Sequence, residues 1–102
     1  MGSVSAELLS SAKNYLDMTW ADEGRDQKLT GILLRGMAYL DHAAGTAQDY
    51  SEGTRGRALL FDYARYALAN TLQDFAGDFA PELLGLHIEG EVAQHDEADR
   101  FS

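Results

Sequence analysis

A chain of 102 residues with a hydrophobic fraction of 45% and a formal charge of −9 is one domain's worth of sequence, long enough for a single modest core and too apolar to be wholly disordered. The negative balance argues against nonspecific duplex binding, which rests on phosphate neutralisation by Lys and Arg. The lack of cysteine fits a reducing compartment and excludes disulfides, thiolate catalysis and Cys-based metal centres, and no apolar run is long enough to expect a membrane partner.

Taken in chain order, Ser5 is placed to cap a first helix over residues 6–17, with Glu7 in the opening turn where the helix dipole favours an acid. Leu9, Ala12 and Leu16 mark one face of it. Trp20 then serves as an anchor between the first helix and the second. A second helix over 23–44 carries a full 3.6-period stripe: Leu29, Ile32, Leu33, Gly36, Met37, Leu40, Ala43 and Ala44. Glycine inside a helix costs about 1 kcal/mol against alanine. Gly36 lies on the stripe, so close approach of another helix compensates it; Gly31 lies off the stripe and has no such explanation. Gly45 sits where a C-terminal cap belongs.

Residues 46–53 form a polar loop, and Thr54 can cap a third helix over 55–76. Its stripe is Leu60, Ala64, Ala67, Leu68, Thr71, Leu72 and Phe75. Phe61, Tyr63 and Tyr66 fall off that stripe, so this helix is apolar over more than one side. Such a helix is central in its own core or also faces a partner. A core this small does not easily hold all three aromatics, which makes Phe61, Tyr63 and Tyr66 candidates for an oligomer interface.

After Phe75 the pattern breaks at Gly77-Asp78, and Pro81 suits the first turn of a short helix, Pro81 to Leu84. Leu84, Leu86 and Ile88 then alternate with Gly85, His87 and Glu89, a period of two that predicts a short extended segment, with a fourth helix to about Gln94 as the alternative. Residues 93–102 read as a flexible acidic tail behind a single domain over 1–92. The expected fold is therefore all-α: a small bundle of three main helices plus a short C-terminal helix or extended tail. Its charge is lopsided. Asp74, Asp78, Glu82, Glu89, Glu91, Asp96, Glu97 and Asp99 stand in a stretch without Lys or Arg, which carries nearly all of the net charge.

No catalytic constellation emerges. His87, Glu91 and His95 would stack on a helix and could hold a divalent metal, but Gly85 and Gly90 weaken the helix this needs. Asp41 and His42 are adjacent in sequence and point about 100° apart on a helix. Glu23 and Asp26 are explained as dipole-compensating acids at a helix start. There is no Gly-rich phosphate loop after a strand and no nucleophile elbow. No catalytic, cofactor or metal residues are assigned, and an enzyme is not expected.

The order of these features resembles the small helical head–tail connector proteins (adaptor or head-completion proteins) of long-tailed bacteriophages and prophages. The resemblance rests on Tyr15-Leu16-Asp17 closing the first helix, the acidic Asp22-Glu23, a second helix closing on Ala38-Tyr39-Leu40, an Ala- and Tyr-rich third helix, and Phe79-Ala80-Pro81-Glu82-Leu83-Leu84-Gly85-Leu86. It implies a structural protein of the virion neck, present in the host cytoplasm before assembly. Such proteins form a homo-oligomeric ring, commonly a dodecamer, between the portal protein and a stopper or tail-completion protein. Genome DNA passes through such a ring without specific binding, and an acidic lining would let it slide. The resemblance also implies that the segment with Leu84, Leu86 and Ile88 docks on the portal. The alternative is a small acidic regulatory protein that binds a protein partner.

Overall fold

A computed structural model of the chain describes residues 4–18 and 23–100, with backbone alone for residue 23 and residues 92–100. The fold is all-α, and there is no strand among the described residues. Helix α1 (Ala6–Tyr15) begins as its sequence requires: Ser5 Oγ accepts the Leu8 N–H at 3.1 Å. It ends by a left-handed turn. Asp17 takes φ 59°, and the Met18 N–H reaches back to the Lys13 carbonyl at 2.8 Å, the six-to-one bond that closes a helix whose next residue leaves the right-handed region. Helix α2 (Glu23–Ala44) stops at Gly45, φ 81°. The anchoring role expected of Trp20 lies outside the described residues.

Thr54 caps α3 (Arg55–Leu68) by accepting the Arg57 N–H at 3.2 Å. The third helix was expected to reach residue 76 and instead stops at Leu68. The reason is Asn70, which adopts φ 59° while the Thr71 N–H bonds to the Tyr66 carbonyl at 2.9 Å. Asn tolerates the left-handed region better than most residues and can take the place of the usual glycine. A 3₁₀ turn (Leu72–Asp74), the single-turn α4 (Phe75–Asp78) and the long α5 (Ala80–Arg100) follow.

The extended segment expected over Leu84, Leu86 and Ile88 is helical instead. The alternation in that stretch coexists with a second pattern, Leu83, Leu86 and Gly90, at three- and four-residue steps facing inward. A helix also satisfies its backbone groups internally, which a lone extended segment with no strand to pair with cannot do. The helical backbone continues through residues 93–100, the greater part of the expected tail.

Helix α2 is the centre of the bundle, packed chiefly on α3 and α5 and to a smaller extent on α1. Its crossing with α3 is tight at Gly36, where an added β-carbon would lie 2.7 Å from Leu60 Cδ1 and 2.8 Å from Tyr63 Cδ1. Gly90 does the same for α5: a β-carbon there would be 2.8 Å from the Ala44 carbonyl oxygen. Gly85 lies directly beneath the Arg55 guanidinium, which pairs with Glu89 at 3.4 Å. The glycines that weaken α5 as an isolated helix are thus contact points against α2 and α3.

Buried Arg57 ties α3 to α1. Its Nη2 sits 3.0 and 2.8 Å from the two carboxylate oxygens of Glu7, and its guanidinium lies over the Phe61 ring at 5.5 Å. The hydrogen bond from Arg57, helped by one from Ser11, holds the Glu7 carboxyl below the usual carboxylate range. A depressed folded-state pKa adds stability above the unfolded value, lost as pH falls through the folded one. The stability difference between wild type and Glu7→Gln should therefore be complete above about pH 5, where the unfolded carboxyl is ionised, and shrink as pH falls through the lowered folded-state value. Urea titrations at stepped pH measure it; a difference that persists unchanged into strong acid would show that the carboxylate charge is not the cause.

Candidate functional site

The three aromatics expected at an interface have different fates. Phe61 is buried beneath Arg57, its ring 5.5 Å from Tyr15. Tyr63 is buried between Tyr39 and Phe75, each at 5.6 Å. Tyr66 is half-buried, its ring edge-on to Phe75 at 5.6 Å and Phe79 at 5.5 Å. The Tyr66 hydroxyl donates to Asp78 Oδ2 at 2.7 Å, which raises the phenol above its usual pKa. The bundle accommodates Tyr63 and Tyr66 because the chain turns back after Leu68 and brings Phe75 onto both rings and Phe79 onto Tyr66, while Phe61 is covered from the other side by Arg57 and Tyr15. Only the outer edge of Tyr66 remains open to a partner.

Of the residues expected to dock on the portal, Leu86 is a core residue, 1% exposed, whereas Leu84 and Ile88 are 59% and 49% exposed. Leu86 therefore drops out of any docking surface in this fold. Leu84 and Ile88 stand one turn apart on the outer side of α5, away from Leu86 and Gly90.

Other exposed apolar side chains were not expected at an interface from the sequence. Leu34 stands on the outer face of α2, and Tyr15 on α1 donates its hydroxyl to Asp62 Oδ1 at 2.7 Å. Tyr39 and Leu72 edge a shallow cleft of about 170 Å³ floored by Tyr63 and Phe75. That is below the roughly 300–1,000 Å³ typical of small-molecule pockets. A signal for Leu34 was present, since it falls on the opposite side of α2 from the Leu29–Leu33–Leu40 stripe.

The polar groups serve the scaffold. Asp41 does not engage His42; it accepts from the Tyr50 hydroxyl at 2.7 Å and the Gln48 N–H at 2.9 Å, fastening the α2–α3 loop to the helix. Burial, followed by the bond to Asp41, pushes the Tyr50 phenol well above its ordinary value, so it stays a protonated donor. A wide trough of about 620 Å³ along α1 is spanned by Lys13 and Asp26, 2.9 Å apart. His87 and Glu91 do stack on α5, 3.0 Å apart, while the His95 side chain lies outside the described residues. Among the described residues no three His, Asp or Glu side chains converge to hold a metal ion, and no helix is long and apolar enough to cross a membrane.

Among the described residues, the exposed apolar features are an apolar pair on an acidic helix, a leucine on the outer side of α2, and an aromatic edge. Comparison with known proteins finds no matching family model, no matching curated protein and no matching solved structure.

Proposed function

We propose that the chain is a structural protein of the neck of a long-tailed bacteriophage or prophage, a head–tail connector that assembles as a ring beneath the portal. It acts through its surfaces and carries out no chemical step. The observation that supports this best is where its large apolar side chains meet water. Leu34, Leu84 and Ile88 lie on outer helix faces, and Lys13 and Asp26, which span the trough along α1, are paired with each other. Isolated exposed apolar residues are ordinary, but an apolar pair one turn apart on a helix whose described side chains include no Lys or Arg suits docking. The order of the sequence motifs from Tyr15-Leu16-Asp17 to the Phe79–Leu86 segment points to the same family. The ring would hand the genome from the portal to the stopper or tail-completion protein, with acidic surface keeping the duplex from adhering.

The test is reconstitution with the portal oligomer encoded in the same genome. The purified chain should bind the portal and form a ring coaxial with it, visible by negative-stain microscopy and by native mass. A compact dimer that ignores the portal would instead support a small acidic regulatory protein.

A further inference from the structure

We propose that copies of this chain join head to tail, the outer face of α5 in one copy seating on the outer face of α2 in the next. The inference rests on the ring reading above and names the surfaces that would make the ring. Leu84 and Ile88 form the apolar centre of the α5 face, and the described side chains of that helix include Glu82, Glu89 and Glu91 and no Lys or Arg; Glu89 reaches Arg55 of α3 and Glu91 reaches His87. On α2, Leu34 is 42% exposed, and Gly31 and Ala38 share its face at three- and four-residue steps. Lys28 and Arg35, both exposed, run along the same side seven residues apart. Neither has an ion-pair partner among the described residues.

The described acids of α2 do not neutralise that side, since Asp26 faces Lys13 and Asp41 is held by Tyr50 and Gln48. The helix therefore shows a leucine flanked by free cations, and α5 shows a leucine–isoleucine pair on a face that stays net acidic, since Arg55, at Glu89, is the one Lys or Arg that pairs with its three described acids. Charge sign decides among the pairings. Two α5 faces would bring acid against acid, and two α2 faces would set Lys28 and Arg35 against their own copies. Only the crossed pairing puts opposite charges around both apolar centres.

Gly31 adds a separate observation. A β-carbon there would meet only the Arg35 guanidinium of its own helix, at 3.5 Å. Nothing among the described residues calls for glycine at that position, whereas a helix crossing from a neighbouring copy could approach more closely where the side chain is missing. The two faces are different patches of one surface, so the contact is heterologous and repeats into a closed ring or an open filament. Leu84 and Ile88 are ring contacts on this reading, and the portal is met elsewhere on the surface.

The chain has no cysteine, so introduced single cysteines report contacts cleanly. Full-length Ala38→Cys and Ile88→Cys are made separately, then oxidised alone and as an equal mixture. The mixture should yield a disulfide-linked dimer several-fold in excess of either variant alone; equal yields, or no dimer in the mixture, overturn the pairing. A second measurement uses Leu34→Glu and the double variant Leu84→Glu/Ile88→Glu, exposed positions whose folding is checked by circular dichroism. Each alone should lose self-association by about tenfold or more, while the two mixed should form a one-to-one pair that grows no further, because one intact interface remains. Rings undisturbed by Leu84→Glu/Ile88→Glu, or loss of portal binding with self-association intact, refute the pairing and leave the neck assignment standing. A chain that neither self-associates nor binds the portal refutes both.

Discussion

Phe75→Ala should destabilise the fold by about 3–5 kcal/mol, the loss typical of truncating a fully buried phenylalanine. Phe75 is 1% exposed, and its ring meets Tyr39 at 5.8 Å, Tyr63 and Tyr66 at 5.6 Å, and Phe79 at 4.8 Å. Three of these contacts are edge-on and one is stacked, the geometries in which aromatic pairs add about 0.5–1.5 kcal/mol beyond burial. Part of the loss is the cavity left behind, because the surrounding rings are anchored on α2, on α3 and at the α4–α5 junction and cannot all move in together. Against the 5–15 kcal/mol that holds a typical domain, and at about 4–8 °C per kcal/mol for a chain of this size, the melting temperature should fall by roughly 20 °C. Thermal unfolding followed by circular dichroism measures it. A drop of only a few degrees would mean that α4 is not seated between those helices.

Leu86→Ala should cost about 2–5 kcal/mol, whereas Leu84→Ala, two residues away, should stay within about 0.5 kcal/mol. The contrast follows from their exposure: Leu86 lies in the core and Leu84 points into water. Urea unfolding of the two variants side by side separates the alternatives. Equal and small effects would mean that α5 is a loosely attached arm; a large effect at Leu84 as well would mean that its outer face is already covered in solution.

The periodic segments were legible because burial on one side imposes a step of three and four. The stripe from Leu29 to Ala44 gave α2 its limits, and Gly36 announced the close crossing later found against Leu60 and Tyr63. What periodicity does not carry is the point at which a helix yields to a turn. Thr71, Leu72 and Phe75 continue the α3 stripe in sequence, yet Asn70 turns the backbone left-handed before them, and the stripe is completed in space by α4. Asp17 ends α1 in the same way. Both are polar residues that also occur inside helices, so their capping role is set by the bonds from Thr71 and Met18 that their neighbours can form.

The last helix was harder to read for a different reason. Leu84, Leu86 and Ile88 satisfy a two-residue period, and Gly85 and Gly90 count against helix on propensity alone. Their value appears only with the Arg55 side chain and the Ala44 carbonyl in place, groups distant in sequence. The same gap explains the interface candidates. Tyr63 and Tyr66 looked surplus to one core until Phe75 was brought beside both and Phe79 beside Tyr66, and Phe61 until Tyr15 and Arg57 covered it, while Leu34, next to Leu33 in sequence, drew no notice until the two sides of α2 could be told apart.

The packing of α5 on α2 also sets an order of events during synthesis. Helices α2 and α3 are separated by one short loop and can dock as soon as both have left the ribosome, a local contact that closes quickly. The surface of α2 around Ala44 must wait for Leu86 and Gly90, which emerge some forty residues later. At roughly 5–20 residues per second this is an interval of seconds, during which the nascent chain displays an apolar seam that the finished protein hides. Residues 80–90 therefore act late, as the piece that closes the bundle, and any variant that delays their docking prolongs the exposure of that seam to chaperones and to other nascent chains.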